Sequence, residues 1–97
     1  MKNLNELLQI LSTQKKSLCE DYQITELSVF GSYVRGEQTE LSDIDILVDY
    51  EIAPTFVKLV ELRDYLSEVF GLQVDLVTKN GLKDRIRDRV LAEAIYI

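Results

Sequence analysis

At 97 residues the chain is below the ~100 to 200 of an ordinary domain, so a single domain spanning residues 1–97 is expected and two are excluded. Its 46% hydrophobic and 29% charged residues are those of a globular chain with one core. With no histidine and only Cys19, an internal disulfide, a zinc site and a His-dependent triad are excluded, and any metal must be held by oxygen.

No run approaches the ~18 to 20 apolar residues of a membrane span, and Met1 to Glu6 lacks an apolar signal core, so a cytoplasmic protein without a membrane partner is expected. The net charge of −6 is uneven. Residues 1–78 hold six Lys/Arg against fourteen Asp/Glu, whereas residues 79–97 carry a net +2. An acidic surface of this kind argues against direct nucleic-acid binding, which needs clustered cations, and favours a small molecule or a protein as partner.

Leu4, Leu7, Leu8 and Leu11 have helical spacing, and Asn3 with Glu6 forms a capping pair, which predicts a helix from Asn3 to about Cys19. Leu27–Phe30 is a short β-prone run that ends at Gly31-Ser32. A helical turn and a loop are expected over residues 33–42. Residues 43–50 then begin in alternation and turn continuously apolar, as a largely buried strand does. Pro54 suits the first turn of a helix over residues 55–70, with Phe56, Leu59, Val60, Val69 and Phe70 as its apolar face and Gly71 as its stop. Residues 72–78 form a third strand with Asp75 inside it. A last helix carries Leu82, Ile86, Val90 and Ala94, and the apolar end from Ala94 to Ile97 is open to two readings, core or docking surface. The order α, β, β, α, β, α, with no long helix between the first two strands, predicts an α/β (α+β) fold with a small mixed sheet flanked by helices.

Three features carry chemistry. Gly31-Ser32 is a turn where backbone can approach a ligand without a Cβ, offering N–H groups and a hydroxyl to phosphate. Asp43 and Asp45, two residues apart on a strand, share one face, where they repel unless solvent or a hard cation offsets them. Asp75 stands in an otherwise apolar strand, where a buried carboxylate needs a partner; Arg35 and Lys79 are the structural alternatives to a metal. If the second and third strands are neighbours, the three aspartates form a cluster able to hold two metal ions ~3.5 to 4 Å apart. The cations Lys79, Lys83, Arg85, Arg87 and Arg89, interleaved with Asp84 and Asp88, read as a solvated helix face rather than a nucleic-acid patch.

Phe30-Gly31-Ser32-Tyr33-Val34-Arg35-Gly36 followed by Ser42-Asp43-Ile44-Asp45-Ile46-Leu47-Val48, with ten residues from Tyr33 through Ser42, resembles the Gly-Ser, ten residues, Asp-x-Asp signature of the polymerase β-like nucleotidyltransferases. With Val74-Asp75-Leu76, and at this size, the chain is most similar to the minimal nucleotidyltransferase (MNT) proteins, antitoxins paired with HEPN-domain toxins. The resemblance implies ATP as substrate and Mg²⁺, two ions, as cofactor, with Asp43, Asp45 and Asp75 as metal ligands and catalytic carboxylates, Asp75 also serving as base. It implies Gly31 and Ser32 as triphosphate ligands and Arg35 as a nucleotide-site residue paired with phosphate or with a carboxylate. It further implies transfer of AMP to a tyrosine hydroxyl of a HEPN ribonuclease toxin, in a hetero-oligomer with that toxin. Two rivals share these residues: an antitoxin acting by contact alone, and a nucleotidyltransferase with a small-molecule acceptor, for which a chain of this size has little room.

Overall fold

The computed structural model describes residues 3–97, and only Met1 and Lys2 lie outside it. Helix α1 (Leu4–Tyr22) starts where Asn3 accepts the Glu6 N–H on its side chain at 2.9 Å, and it runs to Tyr22, three residues beyond the expected stop, where Gln23 caps it in a left-handed conformation. Strand β1 (Glu26–Phe30) runs into the one-turn helix α2 (Ser32–Arg35). Strand β2 (Ile44–Asp49), helix α3 (Phe56–Phe70) and strand β3 (Val74–Thr78) follow. A 3-10 turn (Lys79–Gly81) leads into helix α4 (Asp84–Glu93) and a two-residue strand β4 (Ile95–Tyr96).

The sheet order is β3-β2-β1-β4, with β1 antiparallel to β2 and to β4, and β2 parallel to β3. The mixed sheet expected from the sequence is therefore present. A parallel neighbour requires a crossover, and α3 supplies it between β2 and β3. Alternation along β2 then divides the molecule. Ile44, Ile46 and Val48 join Leu27, Val29 and Val74 in the main core, where Leu7, Leu11 and Leu18 of α1 and Leu62, Leu66 and Phe70 of α3 cover them. Leu47 points the other way, into a smaller cluster with Phe30, Val77, Leu82, Ile86 and Val90 beneath α4. Both faces of β2 are thus buried, which is why it reads as a continuous apolar run.

Two expectations are corrected, and one element is added. Phe56 is 79% exposed and lies off the buried face of α3. Leu62, Leu66 and Phe70 are spaced by four, and a residue six positions before Leu62 falls roughly 120° around the helix from that stripe. Pro54 precedes the helix; Thr55 is the cap, its hydroxyl accepting the Lys58 N–H at 3.1 Å. Strand β4 was not among the expected elements, since two residues are too few to show a period. It completes the sheet edge, and Ile97 packs against the main core with its N–H bonded to the Leu27 carbonyl at 2.9 Å, so the apolar C-terminal run belongs largely to the fold. No helix among the described residues is long and apolar enough to cross a membrane.

Leu66→Ala, which empties a fully buried site, is expected to cost about 2 to 5 kcal/mol in urea unfolding, while Phe56→Ala stays within about 0.5 kcal/mol. Equal losses would contradict the assignment of the helix faces.

Candidate active site

The register of the sheet lines up three residues at one end of its second face. Phe30 closes β1 opposite Asp45, and Asp45 stands opposite Asp75 on the parallel neighbour β3. Two residues on, Leu47 and Val77 already lie beneath α4, so the carboxylates mark the point where that apolar cover ends. Asp43 sits just ahead of β2 and is exposed.

Gly31 follows Phe30 with φ +83° and ψ −152°, backbone that L side chains rarely adopt. Space makes the same demand. A Cβ built on Gly31 would overlap Oδ2 of Asp45 and stand 2.9 Å from its Cγ. The turn and the carboxylate are therefore in direct contact, and glycine is what lets them meet. Ser32 and Tyr33 come next as the first residues of α2, where N–H groups have no acceptor within the helix.

The Asp45 carboxyl is pushed up to about 6, first by burial, then by the charge of Asp75 and a side-chain hydrogen bond with it, then by the charge of Asp43; the Arg35 cation acts weakly the other way. Asp75, expected to be the buried member, is exposed on the edge strand β3, and half-buried Asp45 carries the desolvation instead. Neither structural alternative for Asp75 is realised. Arg35 pairs with Glu37 and Glu93, and Lys79 pairs with Glu26 at 2.6 Å and lies 3.8 Å from Asp49. The three-carboxylate cluster is met as a facing pair with a third charge nearby: among the described residues no group of three or more carboxylate or thiol side chains is close enough together to hold a metal.

These residues fit a hard divalent cation. The donors are all carboxylate oxygens, and no described Lys or Arg makes a salt bridge to Asp43, Asp45 or Asp75. On the Asp43 side a cleft of about 530 Å³ is lined by Ser42, Asp43, Ser67, Glu68 and Gln73. On the Asp75 side a second, of about 280 Å³, runs under α4 between Phe30, Val77, Leu82 and Ile86, with Lys83 and Arg85 at its rim.

Arg35 pairs with two carboxylates in this structure. Its Nε donates to Glu37 Oε1 at 2.7 Å, and its Nη1 donates to both oxygens of Glu93, at 3.1 and 3.0 Å. Glu93 also accepts the Gly31 N–H at 2.6 Å, and sequence reasoning missed it. The available signal was an acidic residue in the last turn of a helix, where the macrodipole disfavours it. The basic stretch is partly structural, since Lys79 forms the ion pairs above and Arg87 donates to the Lys79 carbonyl at 2.8 Å.

A Gly-Ser turn pressed against paired carboxylates at the head of a mixed sheet is the arrangement expected of a nucleotidyltransferase. Residues 11–97 match the nucleotidyltransferase domain family, and the chain belongs to it. The chain is 50% identical over 97 residues to the protein adenylyltransferase MntA of Thermococcus cleftensis, covering 100% of this chain and 98% of that one. Among solved structures it is similar to one described as a minimal nucleotidyltransferase, at TM-score 0.75 and 37% identity over 92% of this chain and 93% of that one. A toxin–antitoxin structure with AMP-PNP matches at TM-score 0.72 and 26% identity, over 87% of this chain and 69% of that one. The polymerase β-like fold and the minimal nucleotidyltransferase assignment expected from the sequence both stand.

Two outcomes check the site. In the folded protein the Asp45 carboxyl lies at about 6, against ~3.9 for an unstructured aspartate, so the native state holds the extra proton between these values and loses stability as pH rises through the window. In metal-free buffer Asp45→Asn and wild type should melt alike near pH 4, with the variant gaining over wild type by pH 7; parallel profiles would contradict the like-charge contact. Gly31→Ala should displace Asp45 and reduce transfer at least about a hundredfold, as small misplacements of reacting groups do. Near-normal turnover would show that the contact is dispensable.

Proposed function

We propose that the chain is a divalent-cation-dependent protein adenylyltransferase that moves AMP from ATP to a tyrosine hydroxyl of a HEPN-domain ribonuclease partner and thereby silences it. The observation that carries the reading is the Asp45–Asp75 pair set against the Gly31-Ser32 turn. The identity to a protein adenylyltransferase over the full chain, and the likeness to a toxin–antitoxin assembly with AMP-PNP, support the same reaction and the same kind of partner.

In this reading Gly31 and Ser32 hold the triphosphate, and Asp43, Asp45 and Asp75 hold magnesium. When bound, the cation neutralises charge on the α-phosphate and makes the acceptor hydroxyl easier to deprotonate. Asp75, exposed on the edge strand, is within reach of a hydroxyl on another protein, and it takes that proton. The acceptor oxygen then bonds to the α-phosphorus as the bond to pyrophosphate breaks. Phe30 and the α4 residues around it keep the inner side of the site apolar, so the half-buried Asp45 acts with reduced solvent screening. The −6 charge complements a basic RNA-binding partner and steers the encounter. Adenylate added beside an RNA-cleaving centre puts bulk and negative charge where RNA phosphate must approach.

Intact-mass spectrometry of the partner toxin, incubated with this protein, ATP and Mg²⁺, tests the proposal. The expected result is a gain of AMP on tyrosine that is lost with Asp43→Ala plus Asp45→Ala. A partner bound and neutralised without any mass gain would favour neutralisation by contact alone.

A further inference from the structure

Glu93 ends α4, a position where the helix dipole disfavours a negative charge. Its side chain is nonetheless only 15% exposed, and both its oxygens are engaged. One takes the Gly31 N–H at 2.6 Å and an Arg35 Nη1 bond at 3.0 Å; the other takes Arg35 Nη1 at 3.1 Å. These contacts join residues 62 and 58 positions apart in sequence. A charge-assisted bond to a backbone amide is among the stronger hydrogen bonds a protein makes.

The amide it holds is the one that most needs holding. Glycine has wide backbone freedom, and Gly31 must stay near φ +83° for its Cα to pack against the Asp45 side chain. A rotation of this peptide would move the turn and remove the surface on which Asp45 rests. Arg35, shared between Glu93 and Glu37, braces the far side of the same turn, and its guanidinium is committed to these carboxylates.

We infer that Glu93 is a positioning residue for nucleotide binding: through Gly31 and Arg35 it fixes the Gly31-Ser32 turn against Asp45 without touching nucleotide itself. The inference rests on the reading of that turn as the triphosphate site. It locates a determinant of ATP affinity at the C-terminal end of α4, outside the Gly-Ser and Asp-x-Asp segments. It also assigns Arg35 to the brace and not to phosphate.

The test is calorimetric binding of AMP-PNP with Mg²⁺ to wild type and to Glu93→Ala, Glu93→Asp and Glu93→Gln, beside the KM for ATP and the thermal midpoint of each. Glu93→Ala and Glu93→Asp should bind AMP-PNP about tenfold or more weakly, the loss expected for one charge-assisted bond. The KM for ATP should rise in parallel while the KM for the protein acceptor holds. Glu93→Gln keeps an oxygen for the Gly31 N–H but loses the charge and one of the two acceptors of Arg35, so its loss should fall between wild type and Glu93→Ala. The aspartate variant retains the charge but is a methylene too short, so it carries the test if the alanine variant fails to fold. Lower thermal midpoints with unchanged AMP-PNP affinity and ATP KM would make Glu93 a structural tie and overturn the inference. Wild type that binds no AMP-PNP would overturn the triphosphate reading of the turn, and this inference with it.

Discussion

The parallel pairing of β2 with β3 sets Asp45 directly opposite Asp75, and the rest of the site is arranged around that placement of two like charges. Opposed like charges on neighbouring strands are destabilising, and half-burial adds to the strain by removing the water that would screen them. A fold stable without function would place an opposite charge or an apolar side chain at one of the two positions. The two cations close enough in sequence to be candidates, Arg35 and Lys79, are instead paired with Glu37 and Glu93, and with Glu26. No described Lys or Arg therefore forms a salt bridge with this pair of carboxylates.

The surrounding structure follows from holding that pair in place. Parallel strands need a crossover, so α3 must span the sheet between them, and its Leu62, Leu66 and Phe70 form much of the main core. On the opposite face α4 lies over Leu47 and Val77, leaving the carboxylates where its cover stops. Gly31 closes the arrangement, because only a residue without a Cβ can bring the turn into contact with Asp45. Glu93 connects these parts, since it ends the covering helix and grips the turn. Packing and chemistry thus share the same short strand, with Ile44, Ile46 and Val48 serving the core and Asp45 serving the site.

Much of this was legible in the residues. The alternation at the head of the second strand places Asp43 and Asp45 on one face, and the ten-residue spacing from the Gly-Ser turn supports a family resemblance that the family match bears out. What was not legible depends on three-dimensional neighbours. The burial of Asp45 and not Asp75 follows from strand order, because β2 is interior to the sheet and β3 is an edge, and no periodicity encodes that. Glu93 belongs to the turn only because α4 ends beside it, a contact across 62 positions of sequence. Strand β4 was invisible because pairing with β1, not a pattern of its own, defines two residues as a strand. Phe56 misled because hydrophobicity was read without its angular position on the helix.

In the proposed mechanism the facing aspartates form a divalent-cation site completed by nucleotide. Electron paramagnetic resonance of Mn²⁺, titrated into the protein with and without AMP-PNP, reads this directly, because bound Mn²⁺ loses the free-ion signal. Wild type should bind Mn²⁺, and more tightly with AMP-PNP present, while Asp45→Asn and Asp75→Asn should lose most of that binding yet remain folded. Unchanged Mn²⁺ binding in both variants would place the cation elsewhere and contradict the account.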